Sequence, residues 1–167
     1  MLKRLTQYLD NEKVKYVVIM HSPAYTAQEI AASVHIPGKD VAKTVMVKIE
    51  GNMAMAVLPA SYMVDFTYLR ERLAAQKVEL ATEAEFKGLF PECEVGAMPP
   101  IGTLFGMDVI VEKSLSEDEE IAFNAGTHKE LVRMLYADFE RLVKPKVLQF
   151  GVRKRGQGMM GNPATVA

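Results

Sequence analysis

Two apolar runs, Lys43 to Ile49 and Met53 to Leu58, face each other across Glu50-Gly51-Asn52, and this pair limits the fold more than any other segment. Short β-rich runs joined by so tight a turn form an antiparallel hairpin. Gly51-Asn52 are expected to supply the positive-φ positions, and Pro59 closes the second strand. Leu2, Leu5, Tyr8 and Leu9 recur at helical spacing, so the start is a short amphipathic helix ended near Asn11-Glu12. Tyr16 to Met20 is strand-like. Thr26-Ala27-Gln28-Glu29 has the form of a capping box opening a helix to about Val34, and Pro37-Gly38 breaks the chain after it. Asp65 caps a helix carrying Phe66, Leu69 and Leu73, and Thr82 to Glu85 is another capping box, ahead of a helix stopped by Pro91.

Cys93 to Gly106 is rich in Gly and Pro and reads as loop. Val109 to Glu112, Ile121 to Asn124, Leu131 to Met134 and Val147 to Phe150 are expected strands, with a helix over Tyr136 to Val143. Helices and hairpins mix without regular βαβ alternation, so the expected class is α+β with a mixed sheet. A chain of 167 residues fits one domain, taken as 1–150. After it, 151–167 contains the run Val152-Arg153-Lys154-Arg155-Gly156 and reads as a basic, Gly-rich flexible tail.

With a net charge of −1, any nucleic-acid partner must be met by a local patch. The single cysteine, Cys93, excludes an internal disulfide, and the three histidines lack ligand spacing, so neither a metal nor a cofactor is expected. Cys93 lies between Glu92 and Glu94, whose charges oppose thiolate formation. No GxSxG elbow or P-loop is present. No apolar run approaches the roughly 20 residues that span a bilayer, and Met1-Leu2-Lys3-Arg4 does not lead an export signal. A cytoplasmic protein without a membrane partner is expected.

Three segments carry chemistry. Lys43 opens the first hairpin strand and shares a face with Val45 and Val47, while Thr44, Met46 and Lys48 face the other way. It either snorkels to water or holds an anion at a pocket rim. Gly96-Ala97-Met98-Pro99-Pro100-Ile101-Gly102 is a rigid turn, whose Gly96, Ala97 and Met98 amides are candidate donors to an oxyanion. Asn124-Ala125-Gly126-Thr127-His128 is a small-residue turn ending in a histidine suited to proton transfer or to donation, unless it is simply exposed. His21 ends a strand and either lines the same pocket or packs at the sheet edge; His35 reads as surface.

Together these segments resemble the YbaK/prolyl-tRNA synthetase-associated editing-domain family over roughly Val14 to Val143. Lys43 matches that family's strand-start lysine, Gly96 and Pro100 the ends of its GxxxP loop, and Asn124 to His128 its small-residue turn. The resemblance implies a partly barrel-like mixed sheet flanked by helices. It also implies a deacylase that acts in trans on the acceptor end of a mischarged tRNA, with an aminoacyl-tRNA synthetase as a possible partner. The ester carbonyl would sit near Gly96 to Met98 and the terminal phosphate on Lys43, and the substrate's own hydroxyl would help the water, so that no covalent intermediate forms. The catalytic set is then Lys43, Gly96, Ala97, Met98 and His128, and the substrate-binding set His21, Thr44, Pro100, Gly126 and Thr127. Thr44 stands where alanine-editing members have Asn, so amino-acid specificity does not carry over. Two alternatives stand beside this: a catalytically silent tRNA- or synthetase-binding module, and a hydrolase of small esters or nucleotides.

Overall fold

The structure, a computed structural model, describes residues 1–22, 29 and 41–153. The expected helix from Thr26 to Val34, the Pro37-Gly38 break and His35 lie outside the described residues, Glu29 apart. The hairpin is present: β2 (Ala42–Ile49) pairs antiparallel with β3 (Asn52–Pro59), from Ala42 opposite Pro59 to Ile49 opposite Asn52. Its turn is shifted by one residue from expectation. Glu50 (φ 51°) and Gly51 (φ 81°) take the positive-φ positions, and Asn52 is already strand. The Glu50 carboxylate accepts the amides of Gln76 and Lys77 at 2.6 and 2.7 Å, which offsets the left-handed backbone of a non-glycine residue.

β3 continues in parallel to β6 (Asp108–Glu112) and β6 to β9 (Lys146–Leu148), while β5 (Val78–Leu80) flanks β2. A second sheet has β8 (Glu130–Leu135) between β1 (Tyr16–Met20) and β7 (Glu120–Asn124). One parallel bridge, Val41 to Ala122, joins the two sheets. β10 (Gly151–Arg153) pairs with β4 (Tyr62–Val64). The sheet is therefore mixed, and the class is α+β. β4, β5 and β10 are three residues each, too short to show a period in sequence. The expected last strand begins one residue earlier and stops at Leu148.

The tail boundary moves. Gly151–Arg153 is folded, because the buried Glu112 carboxylate accepts the amides of Phe150 and Gly151 at 2.7 and 2.5 Å. Residues 154–167 lie outside the described residues.

Helices cover the sheets. α1 (Lys3–Asn11) buries Leu5 and Leu9, and α5 (Tyr136–Val143) buries Tyr136, Phe139 and Leu142, in one core cluster with Phe123 and Ile101. α2 (Phe66–Leu73) starts where Asp65 accepts the Tyr68 amide, and it buries Leu69 beside Val47, Leu58 and Phe150 in a second cluster. α3 (Glu83–Phe86) has the expected capping box, formed by Thr82 and Glu85. α4 (Lys113–Ser116) is a single turn that buries Leu115. The alternation along β2 decides which residues meet which cluster. Ala42 and Met46 face the first; Val45 and Val47, and with them Lys43, face the second.

Candidate functional site

The Gly96–Pro100 loop and the Asn124–His128 turn are hydrogen-bonded to each other. The Gly126 amide donates to the Ala97 carbonyl, and the Glu94 amide to the Gly126 carbonyl, both at 2.9 Å. The turn requires a glycine at 126: its φ is 97°, and a Cβ there would stand 3.0 Å from Leu2 Cβ. The Leu2 amide in turn donates to the Ala125 carbonyl at 2.8 Å, so the chain start braces the turn.

His128 is buried, not the exposed turn histidine that its sequence setting also allowed. Its amide donates to the Glu94 carboxylate at 2.9 Å. Its Nε2 lies 2.8 Å from the Val95 carbonyl, which can only accept, so the proton of the neutral ring is on Nε2. Gly96 leaves room for this ring; a Cβ there would lie 3.4 Å from His128 Cε1. Glu94 therefore holds His128, a role that nothing in the local sequence pattern marks. His21 reaches the same turn from β1. Its amide donates to the Lys129 carbonyl at 2.9 Å, and its Nδ1 donates to the Ser22 carbonyl at 2.7 Å. Thr127 accepts the Lys129 amide, and Pro100 is buried at the loop's end.

The three expected amide donors do not survive intact. The Ala97 amide is committed to the Glu94 carbonyl at 3.0 Å, because the loop closes on itself in a tight turn. The Gly96 amide meets only the Met98 sulfur, a weak acceptor, at 3.2 Å. The Met98 amide has no acceptor among the described residues. Thr44 ties β2 to this loop by donating its hydroxyl to the Met98 carbonyl at 3.2 Å. Lys43, half-buried, leaves β2 from the opposite face. The structure thus brings the loop, Thr44, Gly126, Thr127, His128 and His21 around one turn, with Lys43 entering from the far side of the strand that Thr44 anchors.

The Cys93 thiol is pushed up to about 11, first by burial and then by the Glu92 charge. It is protonated at neutral pH and supplies no nucleophile. Alkylation by iodoacetamide at pH 7.5 is expected to run about a hundredfold slower than for an exposed cysteine, as followed by mass spectrometry; an ordinary rate would contradict this environment. Among the described residues no three His, Cys, Asp or Glu side chains group to hold a metal ion, and no described helix is long and apolar enough to cross a membrane. A groove of about 870 Å³ lies at the hairpin-turn end of the sheet, lined by Glu50, Gln76 and Lys146, away from these residues.

A family profile described as the aminoacyl-tRNA editing domain matches residues 21–142. The chain is 27% identical over 153 residues, covering 89% of it and 91% of the relative, to the multifunctional Ser/Thr-tRNA deacylase ProXp-y of Escherichia coli K12. It is 24% identical over 143 residues to the prolyl-tRNA editing protein ProX of Acetoanaerobium sticklandii, covering 81% of this chain and 86% of that one. Among solved structures, a proposed trans-editing enzyme for prolyl-tRNA synthetase superposes with a TM-score of 0.74 at 19% identity, over 92% of this chain and 96% of the other.

Proposed function

The chain belongs to the aminoacyl-tRNA editing domain family, and from that premise we propose that it is a trans-editing deacylase, hydrolysing the ester of a mischarged tRNA without a covalent enzyme intermediate. The observation that carries the chemistry is the hydrogen-bonded union of the Gly96 loop with the His128 turn, next to a thiol too basic to attack. The Gly96 and Met98 amides face the ester oxygen as charge develops on it, and Lys43 holds an acceptor-end phosphate. His128 keeps the loop in shape through Val95 and Glu94. Ala97 contributes its place in the turn and not its amide. His21, Thr44, Pro100, Gly126 and Thr127 line or support the substrate position. This reading places the protein in the cytoplasm, where tRNA is charged, with a synthetase as a possible source of substrate.

The test is a panel of mischarged tRNAs incubated with the purified protein. Release of one or a few amino acids is expected; turnover of free small esters with none of the tRNAs would favour a small-ester hydrolase. The committed Ala97 amide favours a second reading, a silent tRNA-binding module, which predicts tRNA association with no release at all.

The near-neutral chain must meet tRNA through a local basic patch. Cutting after Arg153 removes Lys154 and Arg155 but keeps β10. The truncated protein should bind tRNA more weakly and with a flatter salt dependence, each lost phosphate contact taking roughly 0.7 to 0.9 off the log–log slope. Its melting temperature should not change. Equal slopes for the two proteins would leave the tail without a tRNA-binding role.

A further inference from the structure

The buried side chain of Asn124, at the end of β7, is not used by the loop or by the turn that it opens. It is 9% exposed, and its Oδ1 has no hydrogen-bond partner among the described residues. A buried amide oxygen left unbonded costs about as much as a lost hydrogen bond, so a fold retains one where a ligand completes it.

The topology says which ligand group it faces. Val41 and Ala122 form the parallel bridge between the two sheets, and two residues further along each strand come Lys43 and Asn124. Side chains level with each other on parallel neighbours point to the same face. The packing agrees. Ile121 and Phe123 of β7 face the first core cluster with Ala42 and Met46 of β2, which leaves Asn124 on the same side as Lys43 and Val45. An unbonded acceptor therefore sits beside an ammonium group. The reacting end of an aminoacyl-tRNA offers two donors near its ester, the α-ammonium of the amino acid and the ribose hydroxyl vicinal to the ester oxygen. A second cation next to Lys43 is disfavoured by like-charge repulsion, whereas a hydroxyl is neutral and adjoins the phosphate that a lysine attracts.

We propose that Asn124 is a substrate-binding residue whose Oδ1 accepts a hydrogen bond from the vicinal ribose hydroxyl of the terminal adenosine, fixing the ribose beside Lys43. This deepens the deacylase reading and rests on the substrate being an aminoacyl-tRNA.

The experiment is a binding cycle that needs no turnover. The probe is a tRNA ending in 3′-amino-3′-deoxyadenosine that carries alanine through an amide, made with and without the 2′ hydroxyl. For the unaltered protein, removing the hydroxyl should weaken binding about tenfold. Asn124→Ala should weaken binding of the hydroxyl form about tenfold and leave that of the 2′-deoxy form unchanged within twofold. Equal losses on both forms, or none on either, overturn the proposal. If the effect of Asn124→Ala survives without the hydroxyl but vanishes on an N-acetylated probe, the partner is the α-ammonium and the proposal is wrong. Should Asn124→Ala not fold, equal affinity of the unaltered protein for the two forms is enough to reject it. A protein that releases no amino acid in the tRNA panel fails the deacylase reading separately, since this cycle reports on binding alone.

Discussion

Lys43→Ala is expected to lower kcat/KM for deacylation of the best tRNA substrate by about two orders of magnitude, while the melting temperature stays nearly constant. The lysine is half-buried at the start of β2, where an ammonium bound to a phosphate is partly shielded from water. Truncating one partner of such a desolvated charge pair costs about 3 kcal/mol, which is roughly a hundredfold in rate when the contact persists in the transition state. The hairpin itself should hold, because its register is fixed along the whole length of both strands and by Met46 and Val47 on opposite faces. Lys43→Arg should recover part of the loss, since it keeps the charge but not the compact ammonium. Unchanged deacylation by Lys43→Ala on every tRNA tested would remove the residue from the mechanism.

Glu112→Ala should show the largest loss of stability. The carboxylate is 3% exposed and accepts the Phe150 and Gly151 amides. Hydrogen bonds to a charged acceptor contribute about 1.5 to 3 kcal/mol each, and removing this one strands two backbone donors at once. A loss of about 3 kcal/mol, or roughly 6 to 12 °C in Tm for a domain of this size, is expected by calorimetry. Glu112→Gln keeps an oxygen in place and should lose about half as much. No compensating substitution is available at Gly151, where a Cβ would meet Tyr62 Cδ2 at 2.9 Å and Glu112 Oε2 at 3.1 Å. A Tm unchanged by Glu112→Ala would mean that β10 is held by something other than this clamp.

The parts of the fold that the sequence makes legible are those set by local chemistry. Asp65 and the Thr82–Glu85 box cap the helices they precede, and the apolar spacing over Tyr136–Val143 marks α5 to the residue. What depends on distant partners is not legible. Glu50 adopts a left-handed backbone because Gln76 and Lys77 bring their amides to its carboxylate. β10 exists because Glu112 reaches it, so the fold runs on into what composition alone marks as tail. The same limit applies at the site. The segments containing Gly96 and His128 stand out by residue type, but the loss of the Ala97 amide to Glu94, the grip of Glu94 on His128 and the level placement of Asn124 with Lys43 are facts of tertiary geometry.

β1 lies near the start of the chain and its partner β8 near the other end, and the Leu2 amide closes on Ala125. During synthesis the N-terminal helix and strand therefore leave the ribosome long before the segment that completes them. Closing so long a loop slows folding, and an unpaired strand is exposed to other chains meanwhile. Val17, Val18 and Met20 remain exposed along β1 even after pairing, so the waiting strand is apolar on its free edge. The turn that carries His128 gains its brace only when most of the chain is out. The nascent protein is consequently inert toward tRNA while still attached to the machinery that consumes tRNA.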